Sequence, residues 1–505
     1  RSFITPTPHN RNSLTDVSGC VLKRRLHDQE LDSSMNRTQW IFQIVLLAAL
    51  CARISVVLLK SEDLKTDPDG YIAHARMISE GKGLAGPYTS RPTAFRPPGY
   101  PYLLAFWSLL SADSARNAAM INVLAGLLCV LLTRILAEQT QLNNSATLIA
   151  STMVAFDPLL VRYSALPMTE VLSSCMITAS LVLFLRCCRQ AGIELFRNHS
   201  ASADQTPAPG RIVVFTCVFF SAVSALSTLV RPAGLPVFVL QLAGLVVIRL
   251  MLRENQQGHP ESTSRSSRLL KILKLPAVMS LFFVLAMSPW IVRNYRVFHR
   301  LIPATTHGGY TLALGNNQDY YRDVVRANQS AAWDGAALNS WQKRIDEQAR
   351  ADGVDPGDEP GMDAWMYQLA FRSIREDPAG FAGACILRLR RFFGVSTLES
   401  SGIPDFLKYA VAVWYSGLWL MLAVAFLRWL RGRTDSGVSF LWLTVAAVVL
   451  IHTFFWTDAR MRAPVTPILC VLAASVFSGR RSTGQNERQT LQDKDGQTAD
   501  SSGAG

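Results

Sequence analysis

At 505 residues, 49% hydrophobic and only 17% charged, the chain is too apolar for a string of soluble domains. Its net charge of +13 is not gathered into one patch. The basic residues stand at the ends of apolar runs, which excludes a nucleic-acid surface and points to membrane orientation.

Runs of about 20 apolar residues recur, each long enough to cross a bilayer as a helix. In chain order they predict an all-α polytopic membrane protein with about ten transmembrane helices, outer interfacial helices and one extracytoplasmic α-rich domain. Residues 1–39 are polar and basic ahead of the first run, so they are expected on the cytoplasmic side, with Met35 as the expected start. Residues 40–292 form a membrane domain. Its first span, 40–59, leads into an outer loop, 60–112, whose apolar part from Pro98 is too short to span and should lie along the outer surface. Spans at 116–136, 145–163 and 171–187 follow, then a polar insert at 196–210 that reads as a disordered cytoplasmic loop. Spans at 212–230, 233–252 and 275–292 enclose a strongly basic loop with Arg253, Arg265 and Arg268. Residues 293–405 make the extracytoplasmic domain, where Met366, Leu369, Ala370 and Ile374 keep helical spacing. Spans at 407–427, 437–456 and 463–478 fill 406–479, and 480–505 is expected to be a disordered cytoplasmic tail. This register puts every long basic loop on one side. The nine cysteines lie mostly in apolar runs (Cys51, Cys129, Cys175, Cys217, Cys470), form no C-x-x-C pair, and read as small packing residues.

Directly after the first span, Thr66-Asp67-Pro68-Asp69-Gly70-Tyr71 reads as the start of a short capped helix, with Asp67 as N-cap, Pro68 at the first position and Gly81 as the stop. Asp67 is then either a plain cap or a general base held at the lipid–water boundary by that helix end. The register places Asp67, Arg96, Glu170, Arg231, Arg293, Arg460 and Arg462 on the outer side near the membrane surface, where charge is costly unless paired or facing water. Singly, each has a bland reading. Arg231 and Arg293 could be snorkelling flanks, Arg96 an anchor of the interfacial helix, Glu170 a cap, and Arg460 and Arg462 anchors pointing apart. Together they suit a lipid-linked phosphate, which guanidinium forks bind bidentately, beside a carboxylate able to take a proton from an incoming hydroxyl. The span interiors are expected to hold almost no ionisable residue besides His452, which reads as a packed or hydrogen-bonded residue.

Several pieces recur in a telling order: Asp67-x-x-x-Tyr71, Glu80-Gly81-Lys82-Gly83, and Phe95-Arg96-Pro97-Pro98-Gly99-Tyr100-Pro101. Thr169-Glu170, Leu229-Val230-Arg231-Pro232, Ser288-Pro289-Trp290 with Arg293-Asn294-Tyr295, Gly308-Gly309 with Gly315-Asn316-Asn317, and Arg460-Met461-Arg462 follow. From about residue 40 to 480 this order resembles the membrane-bound C-type glycosyltransferases. The likeness is to the bacterial branch similar to protein O-mannosyltransferases, lipid A aminoarabinose transferases and rhizobial lipopolysaccharide galacturonosyltransferases.

The resemblance implies transfer of a sugar from a polyprenyl-phosphate donor to an extracytoplasmic acceptor (lipid, protein or cell-envelope polysaccharide), with inversion, at a bacterial inner membrane. It implies Asp67 as the catalytic carboxylate and Glu170 as the second acidic position. Tyr71, Arg96, Arg231, Arg460 and Arg462 fall at motif positions, and phosphate binding by the arginines is an electrostatic inference. Asp69 is a rival to Asp67; the family places its acid four before the tyrosine, which favours Asp67. In some relatives an acidic pair holds a divalent metal, but the additional acidic motif of metal-dependent oligosaccharyltransferases is not found, so no metal or other cofactor is expected. A transporter or flippase of lipid-linked sugars is the main alternative and would bring inverted repeats and broken helices near the midplane. A non-catalytic membrane scaffold is the other, and it gives no reason for acids among the arginines.

Overall fold

The computed structural model describes residues 37–193, 195, 209–254, 265–327, 333, 335–396 and 404–478. The expectations for residues 1–36 with Met35, for the insert at 196–208, for the basic loop at 255–264 and for the tail from 479 lie outside these.

The described residues are helical without a β-strand; one isolated bridge pairs Ala85 with Pro92. The protein is polytopic. Among the described residues, nine segments are long and apolar enough to cross a membrane. They are α1 (Arg37–Leu59), α4 (Ser114–Gln139), the segment Asn144–Ala165, α7 (Glu170–Gln190), α8 (Gly210–Val230), α9 (within Gly234–Glu254), α10 (within Arg265–Phe298), α16 (Asp405–Leu430) and the segment Ala459–Phe477. A tenth, α17 (Val438–Phe454), is apolar but 17 residues long. α2 (Tyr71–Ser79) and α3 (Gly99–Trp107) are short, as the loop chemistry predicts.

α7 lies at the centre of the bundle, with 78% of its apolar window buried, while α1 at the edge has 17%. Large side chains on α1 and α16 (Leu47, Leu58, Val413, Leu420) are correspondingly exposed, as for helices that meet lipid. Asp113 caps α4 and Asn143 caps the next helix, each accepting from a backbone N–H three residues on, at 3.1 and 2.8 Å.

Two expectations need correction. The third span is not one helix. It breaks between α5 (Asn144–Ala155) and α6 (Pro158–Arg162), where buried Asp157 caps α6 by accepting from Leu160 N at 3.0 Å. Nor are the span interiors nearly free of charge, because Arg53 of α1 is fully buried and donates to the carbonyls of Val154 (3.3 Å) and Ala155 (2.8 Å) at the end of α5. The physical reason is shared. A break in lipid exposes carbonyls and N–H groups, and a guanidinium on one side with a carboxylate on the other satisfies them. Tyr415 of α16 closes the joint, its hydroxyl donating to Asp157 at 3.1 Å.

α10 runs on past Arg293 to Phe298 before the chain enters a unit with its own apolar core. That unit holds α11 (Gly308–Gly315), the short turn α12 (Gln318–Tyr320), α13 (Gly335–Ala351), α14 (Glu359–Glu376) and α15 (Pro378–Phe392). Leu312, Tyr320, Trp341, Trp365, Met366 and Ala370 pack its centre, which matches the helical spacing around Met366. α18 (Thr466–Ala474) is the last α-helix among the described residues and follows a 3₁₀ turn, Ala459–Val465.

Candidate functional site

Gly70 takes a left-handed conformation (φ 75°) and is itself the N-cap of α2, so Asp67 is not the cap position. The turn instead swings the Asp67 side chain back over the helix start. Its Oδ1 accepts from Ile72 N at 3.2 Å and its Oδ2 from Ala73 N at 2.9 Å. Gly81, at φ 78°, follows the helix end as predicted. The carboxylate is thereby oriented by free helix-start donors and the helix dipole while staying half-buried.

Asp69, two residues on, points elsewhere. Its Oδ1 accepts from Arg96 Nη2 at 3.1 Å, and its Oδ2 lies 3.9 Å from Arg460 Nη1. Arg460 Nε stands 3.9 Å from Glu170 Oε1 and 3.1 Å from Asp458 Oδ2. Glu170, the first residue of α7 and only 1% exposed, meets Arg231 Nη1 at 3.2 Å. Arg231 reaches it because Pro232 forces an extended backbone on the preceding residue, here φ −150° and ψ 121°, which ends α8. Three guanidiniums and three carboxylates thus form one continuous chain: Arg96, Asp69, Arg460, Glu170 and Arg231, with Asp458 alongside. Charges this enclosed are tolerated only as partners.

Two tyrosines floor the cluster. Tyr71 and Tyr100 meet edge to face, ring centres 5.3 Å apart, and Arg96 lies over the Tyr71 ring at 5.9 Å. Burial, with Asp69 adding to it, pushes the Tyr71 phenol up to about 12, and burial also raises that of Tyr100. Both phenols therefore stay protonated at neutral pH. The approach of α3 to the end of α8 depends on Gly99: a Cβ there would lie 2.8 Å from Val230 Cγ2 and 3.0 Å from the Leu229 carbonyl.

The structure therefore brings Tyr71, Arg96, Glu170, Arg231 and Arg460 together, with Asp67 at the helix start beside them. It does not bring Arg462 there. Arg462 is 1% exposed, donates to the carbonyls of Phe392 (2.9 Å) and Gly394 (2.6 Å), and stacks 3.9 Å over the Tyr415 ring. The two-residue spacing on a 3₁₀ turn sends Arg460 and Arg462 apart. Arg293 is also occupied elsewhere, donating to Thr93 O at 2.9 Å and Leu84 O at 2.8 Å. The sequence places Asp458 in one turn with Arg460 and Arg462 without assigning it to the site; its position as that turn's cap is the signal that joins it to Arg460. Among the described residues no group of three or more His, Cys, Asp or Glu is placed to hold a metal ion.

No protein-family profile matches the sequence, and no curated protein matches it. Among solved structures, the chain is similar to the archaeal oligosaccharyltransferase AglB from Archaeoglobus fulgidus in complex with an inhibitory peptide and a dolichol-phosphate. That match is 15% identical, has a TM-score of 0.48 and covers 87% of this chain and 50% of that one. A second structure of the Archaeoglobus fulgidus oligosaccharyltransferase, complexed with zinc and sulfate, matches at 15% identity and TM-score 0.46, over 86% and 49%. ArnT from Cupriavidus metallidurans bound to undecaprenyl phosphate matches at 16% and 0.37, over 87% and 78%. The chain spans about half the length of the oligosaccharyltransferases it matches.

Proposed function

We propose that this chain is an integral membrane glycosyltransferase that moves a sugar from a polyprenyl-phosphate donor to an acceptor hydroxyl or amine on the extracytoplasmic side of a bacterial inner membrane. The observation that carries this reading is the chain of ion pairs from Arg96 through Asp69, Arg460 and Glu170 to Arg231. Arginines balanced by carboxylates can re-pair with an arriving phosphate, and guanidinium forks match its oxygens. As the sugar leaves, the phosphodiester becomes a phosphomonoester and gains negative charge. Guanidiniums fixed beforehand stabilise that charge more in the transition state than in the ground state.

Asp67 is the proposed base. Each of its oxygens accepts one backbone N–H, so each keeps a lone pair for an incoming hydroxyl, and among the described residues it forms no ion pair. Asp69, tied to Arg96, is the proposed counter-ion that yields to the phosphate. Proton transfer to Asp67 while the acceptor oxygen attacks opposite the phosphate gives inversion.

The transporter alternative has one observation in its favour, the broken third span with its buried Arg53 and Asp157. Both side chains are spent on backbone groups and Tyr415, which fits a sealed joint better than an ion path. Incubation of the purified protein in lipid vesicles with radiolabelled polyprenyl-phosphate sugars and envelope extract tests the proposal. Label appearing in an acceptor supports it. Label crossing the bilayer still attached to lipid, with no glycoside formed, sinks it.

A further inference from the structure

The α14 helix begins with Glu359, whose carboxylate is gripped by Thr93 and Ala94 of the first outer loop, more than 260 residues away in sequence. Thr93 Oγ1 donates to Oε2 at 2.5 Å, Ala94 N donates to Oε1 at 2.8 Å, and Thr306 Oγ1 donates to Oε1 at 2.5 Å. Thr93, Ala94 and Thr306 are all at least nine-tenths buried. The carboxylate also sits at a helix start, where negative charge is favoured. Three donors on one buried-side carboxylate make a strong clamp, since charge-assisted hydrogen bonds are about twice as strong as neutral ones.

The rest of the loop is fixed around that grip. Thr306 N donates to Ala94 O at 3.0 Å, Arg293 Nη1 to Thr93 O at 2.9 Å, and Phe95 N to Thr93 Oγ1 at 3.0 Å. The Phe95 ring meets His307 edge-on with centres 4.2 Å apart. The next residue is Arg96, whose guanidinium reaches Asp69. The segment from Thr93 to Phe95 has no regular secondary structure of its own to hold it, so its position is inherited from these contacts.

We propose that Glu359 is a positioning residue: it sets the place of Arg96 by clamping Thr93 and Ala94, and so makes phosphate binding depend on the unit that contains α14. The inference rests on the reading of Arg96 as a phosphate ligand. A site whose ligands must be held within about half an ångström loses function when such support is removed.

The test uses the full chain in lipid nanodiscs with undecaprenyl phosphate as the probe, in wild type, Arg96→Ala, Glu359→Gln and the double variant. Hydrogen exchange across residues 84–96 is read on the same samples. The expected result is binding weakened on the order of tenfold by Glu359→Gln, little further loss when Arg96 is already alanine, and faster exchange at Ala94. Thr306→Val, which removes one donor and keeps the charge, should give a smaller loss of the same kind. Equal losses in both Arg96 backgrounds, or unchanged exchange at Ala94 in Glu359→Gln, overturn the inference. If Arg96→Ala binds undecaprenyl phosphate like wild type while Glu359→Gln still speeds exchange, the clamp stands and it is the phosphate reading of Arg96 that falls.

Discussion

Arg96 donates to Asp69 across 3.1 Å, whereas Asp67, two residues earlier, accepts only from the backbone of α2. One short stretch thus supplies two carboxylates with different tasks, one neutralising guanidiniums and one held free-sided by a helix start. Asp67→Asn should cut the transfer rate by about 10²–10⁴-fold while leaving donor binding near wild type, because it removes a proton acceptor and no charge partner of an arginine. Asp69→Asn should instead shift the KM for donor and keep much of kcat. Steady-state kinetics on the two variants checks this; the reverse split would exchange their roles.

Arg460 and Arg462 make a second contrast. Arg460→Ala removes a cation from the ion-pair chain and should weaken donor binding by roughly tenfold or more. Arg462→Ala strands the carbonyls of Phe392 and Gly394 in a buried setting, at a cost of ~1–3 kcal/mol in stability. Thermal unfolding in detergent should register the second variant more than the first, and donor KM the first more than the second.

Gly126 faces Arg53 so closely that a Cβ at that position would lie 2.2 Å from Nε. Arg53 is fully buried and cannot swing aside without leaving Val154 and Ala155 unpaired. Gly126→Ala should therefore destabilise by ~1–3 kcal/mol, in the range of overpacked cores. In an Arg53→Met background, itself destabilised, the same change should cost much less. Additive losses in the double variant would show that the two do not meet.

His74 and His307 lie outside the membrane spans and are both held neutral by burial, with Arg96 nearby; the His307 ring is held well below its usual range. Above about pH 6.5 the folded and unfolded rings are alike in charge. Below it the unfolded chain takes up protons that the folded one refuses, so stability falls as pH drops toward the folded-state values. The unfolding midpoint should decline between pH 7 and 5.5, and the decline should flatten in His307→Gln. An unchanged slope in that variant would remove His307 from the explanation.

Much of the architecture was legible in advance because lipid imposes so plain a rule: apolar runs at the right length become spans, and breaks in them become loops. The α2 and α3 loop helices followed from Gly81 and from Pro97-Pro98-Gly99. Arg53 escaped because its reason for existing is tertiary: nothing near it in the chain shows that a carbonyl pair a hundred residues away needs a donor. The same holds for Arg462, whose spacing from Arg460 leaves its direction open until the 3₁₀ turn is seen. Asp157 did carry a local signal, since an aspartate directly before Pro158 inside an apolar run marks a helix restart. Glu359 pairs with Thr93 and Ala94, far away in the chain, so local patterns carry no trace of it, whereas Asp458 meets Arg460 two residues on and carries its own cap signal.

The Arg53 joint also bears on how the chain is built. α1 touches the bundle sparingly, yet it delivers the only cation that reaches the end of α5 among the described residues. During synthesis the interrupted third segment would have to wait in the bilayer with bare carbonyls unless the first helix were already there. Exchanging α1 for a generic hydrophobic anchor without Arg53 should therefore leave insertion intact while trapping the protein before the bundle closes around that break.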